Sequence, residues 1–351
     1  MENPENPLTF NPDNRSAGDA GFDEDRVNIE VSEHLRNEAI FSEYGTFLAV
    51  KNPTSFLIAQ RRWGFKLVED SALIFSADHP EENPIVFYSQ ILYIEGLDYY
   101  LIFSPDQILR KDIDQNPPYP FLPGDPFAAS YSSLWKRLAV AGDDRKISIF
   151  ELETKRKALE VKSGFGAFFT DLILFGDEGH KLAYSTFDDY VGLLVLNFSV
   201  KKLCFRSELK LGGENEQIST LAVSRDNRHL LAQVAPSEGR VSNRLAVLHQ
   251  EERRLVRKAR IDQGGAVPVG IQSALNHCGS AGGCIFWVGL SMFQGTQAHL
   301  YCYDTLNEEF RELEQKRVPH RAIFPKSIER IGNQFYYIGF EENLMKLAVT
   351  I

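Results

Sequence analysis

Apolar and polar residues alternate on both sides of a short polar turn in residues 137–152, RLAVAGDDRKISIFEL. Leu138 and Val140 alternate with small or polar neighbours before the turn, and Ile147 and Ile149 do the same after it. Alternation with a period of two on either side of a short turn is typical of a β-hairpin. The segment therefore predicts two antiparallel strands.

The turn of this hairpin contains a glycine, which tolerates a positive φ, and two aspartates, which can bond to their own backbone. The whole segment resembles the central hairpin of a WD-repeat blade, from a small residue and a glycine to a final aromatic and acid. The matching residues are Ala141, Gly142, Asp144, Ile147, Ile149, Phe150 and Glu151. The last pair is Phe-Glu here, where a WD repeat has Trp-Asp. Other antiparallel sheets also contain such hairpins. The resemblance therefore depends on whether the hairpin pattern repeats along the chain.

Pairs of the same kind recur seven times. The first members are residues 46–51, 91–96, 137–142, 181–186, 230–235, 284–289 and 334–340. The second members are residues 55–60, 99–104, 147–152, 192–197, 244–249, 299–304 and 345–350. A spacing of 44 to 55 residues between equivalent positions fits blades of four short strands each. The sequence therefore predicts an all-β fold, a seven-bladed β-propeller.

The seventh pair has no charged, amphipathic stretch after it to supply a fourth strand, whereas each earlier pair does. The segment RVNIEV, residues 26–31, lies upstream of the first pair and alternates in the same way. We expect it to close the ring by pairing into the last blade. Residues 26–351 are then one propeller domain. Residues 1–25, acidic and poor in apolar side chains, are predicted to be a disordered tail.

The charge and composition of the chain argue against some classes of function. Eight acids and two arginines in residues 1–30 account for −6 of the net charge of −10, so the rest of the chain is mildly acidic. This argues against direct binding of duplex DNA, which relies on a basic stripe. The sequence contains no apolar run of about 18 residues, so no membrane-spanning helix is predicted. Without an apolar leader, the four cysteines favour a reducing compartment, cytoplasmic or nuclear.

Motifs for catalysis or cofactor binding are missing from the sequence. His277, Cys278 and Cys284 lack the second close pair of ligands that a structural zinc site needs. The glycine-rich stretches match no phosphate-binding loop, and neither G-x-S-x-G nor H-E-x-x-H occurs. We expect no cofactor, no metal and no catalysis. The alternative is a propeller hydrolase or lyase with histidines and carboxylates at the mouth of the central channel.

Acidic residues are frequent in the turns inside the seven pairs, and they include Asp144, Asp188 and Asp189. If these turns share one face, their carboxylates form an electronegative mouth that attracts a basic peptide. Tyr190 adds an aromatic side chain of the kind enriched at interfaces. The alternative is that the turn aspartates are structural, as they are in WD repeats.

A second candidate contact is the sequence Arg61-Arg62-Trp63, which follows the second strand of the first pair. We expect it on the opposite face, and exposed arginine and tryptophan dominate the energetic hot spots of interfaces. Alternatively, Trp63 packs under a neighbouring blade and both arginines are only solvated.

The resemblance to WD-repeat proteins implies a rigid platform without catalysis that holds other proteins as a subunit of a larger assembly. One partner is expected to carry a basic segment. A scaffold of this kind predicts an apolar or aromatic surface patch, whereas an enzyme predicts histidines and carboxylates, or a metal, that converge at the channel.

Overall fold

The computed structural model contains seven four-stranded antiparallel sheets, which confirms the predicted seven-bladed β-propeller. It describes residues 27–41, 47–60, 64–78, 90–104, 106–114, 117–124, 126–142, 144–165, 168–176, 180–211, 216–224, 227–236, 244–251, 254–262, 275–281, 283–291, 297–318, 328–331, 334–338 and 343–351. The predicted disordered tail, residues 1–25, lies outside the described residues.

The first three blades each consist of four consecutive strands. Blade 1 contains β2 (Phe47–Asn52), β3 (Ser55–Gln60), β4 (Gly64–Glu69) and β5 (Ala72–Asp78). Blade 2 contains β6 (Gln90–Ile94), β7 (Tyr99–Phe103), β8 (Gln107–Asp112) and β9 (Tyr119–Pro123). Blade 3 contains β10 (Pro126–Ser132), β11 (Arg137–Gly142), β12 (Lys146–Glu151) and β13 (Arg156–Lys162).

The next three blades repeat this order. Blade 4 contains β14 (Phe169–Phe175), β15 (Lys181–Thr186), β16 (Tyr190–Asn197) and β17 (Lys202–Lys210). Blade 5 contains β18 (Glu216–Val223), β19 (His229–Pro236), β20 (Arg244–Glu251) and β21 (Arg254–Asp262). Blade 6 contains β22 (Leu275–Ala281), β23 (Cys284–Ser291), β24 (Gln297–Asp304) and β25 (Glu309–Arg317).

Blade 7 joins the two ends of the chain. Its strands are, in sheet order, β26 (Ile328–Ile331), β27 (Gln334–Ile338), β28 (Asn343–Thr350) and the N-terminal β1 (Asn28–Arg36). Ile29 pairs with Val349 and Val31 with Leu347, as the sequence predicted for ring closure. A short helix, α1 (Glu38–Phe41), follows β1.

The first strand of each blade lines the centre of the ring, where first strands of neighbouring blades contact one another. The hydrophobic core lies between the sheets. Ile147 and Ile149 of blade 3, for example, pack in one cluster with Leu182 and Leu194 of blade 4. The fourth strands form the rim, and β25 is largely exposed along its length. Buried sheet faces and a charged rim are what a stable ring without aggregating edges needs.

The seven pairs recognised in the sequence are not equivalent in the structure. In blades 1 and 2 they are the first and second strands, whereas in blades 3 to 7 they are the second and third. Turns between first and second strands therefore lie on one face, the a–b face, together with turns between third and fourth strands. Turns between second and third strands lie on the other, the b–c face. Asp98, between β6 and β7, is thus on the opposite face from Asp144 and Asp188, which corrects the expected single acidic mouth.

Two strands draw residues from a proline-rich stretch, of which the structure describes residues 117–124 and Pro126. Tyr119–Pro123 form β9, and Pro126 begins β10. The prolines fit because β9 is the outermost strand of its sheet, where a missing N–H breaks no ladder, and a proline can open a strand.

Candidate partner-binding surface

Asp144 lies in the b–c turn of blade 3, where it is exposed. Its Oδ1 accepts a hydrogen bond from the backbone N–H of Lys146 at 3.1 Å, and its Oδ2 contacts the Lys146 ammonium. The hydrogen bond from the Lys146 side chain, reinforced by the backbone bond, lowers the pKa of the Asp144 carboxyl below its usual 3.8. The carboxylate thus organises its own turn, as aspartate commonly does there.

Asp188 and Asp189 lie in the b–c turn of blade 4, but they differ in exposure. Asp188 is exposed, whereas Asp189 is buried, with a positive φ of 66°. The backbone N–H of Asp189 donates to Thr186 at 3.1 Å, and its carbonyl accepts from Leu211 at 2.9 Å. Asp189 is therefore part of the interior of the turn, whereas Asp188 faces solvent.

Tyr190 opens β16 beside this turn and belongs to a cluster of aromatic side chains. Its ring stacks on Phe165, with 5.1 Å between ring centroids and 14° between planes. Phe165, Phe168 and Phe187 are exposed by 55%, 49% and 55% respectively, although each is a large apolar side chain. The Phe187 N–H donates to the Phe168 carbonyl at 2.8 Å, which ties the turn to the start of blade 4. We call these four residues the aromatic surface.

The carboxylate of Glu208 on β17 holds the Phe165 side of this surface in place. Its Oε1 accepts hydrogen bonds from the N–H of Gly164 at 2.7 Å and of Phe165 at 3.3 Å. The hydroxyl of Tyr184 donates to the same oxygen. Three donors converge on this one oxygen, which anchors the start of the connection at Gly164 and Phe165.

A cleft of about 320 Å³ opens on the same face between blades 2 and 3. Pro123, Gly124, Val140 and Phe150 contribute to its walls, and Asp144 and Lys146 lie at its edge. Each charged side chain there has an opposite partner: Asp144 contacts Lys146, and Lys157 Nζ lies 2.6 Å from Glu160 Oε2. The cleft is therefore close to neutral, and it shares no residue with the aromatic surface.

Arg61, Arg62 and Trp63 lie outside the described residues, so their role as partner contacts stays a prediction. They connect β3, which ends at Gln60, to β4, which begins at Gly64. Both of these strand ends belong to the b–c face.

Sequence reasoning located Tyr190 and the neighbouring acids but missed Phe165, Phe168 and Phe187. A signal was present, because all three lie in connections between strands, where apolar side chains are uncommon. Their proximity depends on contacts between separate connections, such as the bond from the Phe187 N–H to the Phe168 carbonyl, which no periodicity in the sequence encodes.

The described residues contain no group of three or more His, Cys, Asp or Glu side chains arranged to hold a metal ion. Among those same residues, no helix has the length and the apolar character needed to cross a bilayer.

The fold and this surface place the chain among seven-bladed β-propellers. No protein-family model matches its sequence, and no curated protein is similar to it.

Proposed function

We propose that the chain is a non-enzymatic, divergent WD-repeat-like scaffold that holds other proteins as a subunit of a larger complex. The partner surface is the aromatic surface on the b–c face of blades 3 and 4. Such a scaffold acts in the cytoplasm, the nucleus or both, in keeping with Cys204 and Cys302, which form no disulfide.

The single observation that carries this proposal is the exposure of Phe165, Phe168 and Phe187 around Tyr190. Exposed apolar side chains scattered singly need no explanation, but three large ones around the b–c turn and the start of one blade favour an interaction site. These rings sit on a rigid sheet framework and in short connections, so little conformational entropy is lost when a partner covers them.

The partner chemistry that fits is a segment with a basic residue flanked by apolar side chains. A lysine or arginine can lie over an exposed aromatic ring and reach the neighbouring carboxylate of Asp188. The apolar flanks cover the remaining rings. This arrangement retains the basic segment expected from the sequence, but it rests on Asp188 and the rings and no longer on an acidic mouth.

Affinity purification from the native source, followed by mass spectrometry, tests the proposal. We expect stoichiometric partner subunits with the wild-type chain and their loss with the double variant Phe168→Ser, Phe187→Ser. The matched control is Leu306→Ser, which changes a side chain 76% exposed on the a–b face and keeps the partners. Recovery of the chain alone contradicts a scaffold, and partners retained by the double variant place their binding elsewhere.

Charge reversal at Asp188 tests the basic segment separately. Asp188→Lys is expected to weaken binding of the purified partner about tenfold or more, since it places a like charge against the basic residue. Asp144→Lys is the control. Asp144 lies in the b–c turn of blade 3, next to the blade that carries Asp188, and its carboxylate contacts Lys146. Equal affinities for wild type and Asp188→Lys, measured by calorimetry, contradict a basic segment at this turn.

A further inference from the structure

The a–b face of blades 3 and 4 differs in charge from the chain as a whole. Four turns form it, residues 133–137, 151–156, 176–181 and 197–202. They contain seven lysines or arginines and four acids, including the two of residues 177–178, which lie outside the described residues. This excess of three positive charges contrasts with the net charge of −10 for the full chain.

Contacts among the described residues join these turns into one surface. Lys136 forms an ion pair with Glu153, and the Leu152 N–H donates to the Lys136 carbonyl at 3.1 Å. The guanidinium carbon of Arg137 lies 3.8 Å from the centre of the Phe198 ring, which links blade 3 to blade 4. The basic groups therefore belong to neighbouring, connected turns and are not scattered around the ring.

Two large aliphatic side chains are exposed among these charges. Leu134 in the blade 3 turn is 70% exposed, and Val200 in the blade 4 turn is 57% exposed. Trp135 and Phe198 lie half-buried beside them. We call Leu134, Lys136, Lys155, Val200 and Lys201 the basic surface.

Three lysines of this surface have a left-handed backbone: φ is 48° at Lys136, 55° at Lys155 and 50° at Lys201. Glycine adopts this conformation without steric cost, whereas a residue with a Cβ does so at a cost. The ammonium groups are thus held at positions where the backbone alone favours glycine. These positions also allow the charge to be removed without disturbing the fold.

We propose that the basic surface binds an acidic segment of a partner protein that carries aliphatic side chains. The lysines supply electrostatic attraction to its carboxylates, and Leu134 and Val200 contact its apolar side chains. Nucleic acid fits less well, since sequence-tolerant binding of single strands relies on exposed aromatic rings for base stacking. The two rings beside this surface, Trp135 and Phe198, are half-buried and expose less of a face for stacking than the aliphatic side chains expose for apolar contact.

The proposal goes beyond the aromatic surface, because it assigns a second site on the opposite face. The outcome of its test does not depend on the proposed role of the aromatic surface, because the two surfaces share no residue. A propeller with both sites is a bridge between two partners.

The test uses a fluorescein-labelled peptide of twelve residues, Glu-Glu-Leu repeated four times, and fluorescence anisotropy at about 50 mM salt. The full-length wild-type chain is expected to bind it, with affinity that falls as salt rises. The variant Lys136→Gly, Lys155→Gly, Lys201→Gly is expected to bind at least tenfold more weakly while its melting temperature stays at or above that of the wild type.

Glu308→Gly is the matched control, because Glu308 also has a left-handed backbone, φ 57°, in an exposed a–b face turn of blade 6. It is expected to leave peptide binding unchanged. No binding by the wild type, or equal binding by the triple-glycine variant, overturns the proposal.

Two further outcomes also overturn it. A twelve-nucleotide single strand of DNA that binds more tightly than the peptide, and loses affinity in the triple-glycine variant, assigns the surface to nucleic acid. A full-length chain with Asp23→Asn, Glu24→Gln and Asp25→Asn that binds the peptide tenfold more tightly assigns it to the chain's own acidic tail.

Discussion

Gly192 on β16 faces the ring of Tyr184 on the paired strand. A Cβ placed on Gly192 would lie 2.1 Å from Cζ of Tyr184, and Tyr184 is fully buried. We expect Gly192→Ala to lower the free energy of unfolding by about 1–3 kcal/mol, the usual cost of overpacking a core. It also displaces the Tyr184 hydroxyl from Glu208, and so loosens the support of Phe165. Chemical denaturation measures the first effect.

Gly96→Ala is the control for this prediction. Gly96 has a positive φ of 83°, but a Cβ there meets nothing within 4 Å, so its loss of stability comes only from the backbone, roughly 1 kcal/mol. A Gly192→Ala variant as stable as the wild type contradicts the close approach of Tyr184.

Asp304 predicts a pH dependence of stability. Burial raises the pKa of its carboxyl, but hydrogen bonds from Asn307 and Leu306 outweigh this effect, and the pKa lies below 3.8. The N–H groups of Leu306 and Asn307 donate to its Oδ1 at 2.8 and 3.1 Å. A depressed pKa in the folded state means that the stabilisation is present above the unfolded pKa and disappears as pH falls through the folded one.

We therefore expect Asp304→Ala to lose about 1–3 kcal/mol at pH 7, the range for hydrogen bonds to a charged group. The difference from the wild type shrinks below about pH 4 as the carboxylate is protonated. Urea titrations at pH 7, 5 and 3 measure it. A difference that stays constant with pH contradicts an ionised Asp304 as the organiser of this turn.

The chemistry of single residues was partly predictable. An aspartate at a turn predicts a local hydrogen bond from its side chain to the backbone, and Asp144 follows that rule. Which turn acid points outward depends on the left-handed backbone of Asp189, and the sequence Asp-Asp does not distinguish the two. The aromatic surface depends on contacts between residues of different connections, so it could not be predicted from local pattern.

At the scale of elements, ring closure depends on β1. Ile29 is fully buried in the cluster that also contains Trp287 and Leu347. We expect Ile29→Ala to lower the free energy of unfolding by about 2–5 kcal/mol, through lost burial and the cavity that remains. Glu30→Ala, at the exposed neighbouring position, is expected to change it by less than about 0.5 kcal/mol.

Hydrogen exchange locates the effect of this change. Faster exchange in β28 is expected for Ile29→Ala, because β28 then pairs with a weakened outer strand. Equal stability of the two variants, with unchanged exchange in β28, contradicts closure of the ring by the N-terminal strand.

The blade count and the closing strand were predictable because the middle strands of each blade are strongly alternating and regularly spaced. The positions of the recognised pairs within their blades were not predictable. In blade 3 the first strand, β10, reads PFAASYS, with small and polar residues and no regular alternation. Inner strands face the channel and two neighbouring blades, so they lack the one-sided burial that creates a period of two. The pairs of blades 3 to 7 were therefore assigned one strand too early.

At the scale of the whole molecule, the aromatic surface and the basic surface lie on opposite faces of blades 3 and 4. Strands of the same two sheets connect them, for β16 begins at Tyr190 of one surface and ends at Asn197, next to the turn that carries Val200 of the other. The intervening sheet is a close-packed core with Val191, Leu193 and Leu194 buried. The replaced side chains lie in surface turns at the two ends of this core and share no contact, so their effects on binding are expected to add.

We therefore expect the two surfaces to act independently. The Phe168→Ser, Phe187→Ser variant should lose its protein partner and keep the affinity of the wild type for the acidic peptide, whereas the triple-glycine variant should do the reverse. Combining both sets of changes should give additive losses of binding free energy, within about 0.5 kcal/mol, because the sites share no contact. Titration calorimetry with each ligand, alone and with the other bound, measures this. A change of more than threefold in one affinity when the second ligand is bound contradicts independent sites, because it requires a coupling free energy between the two faces.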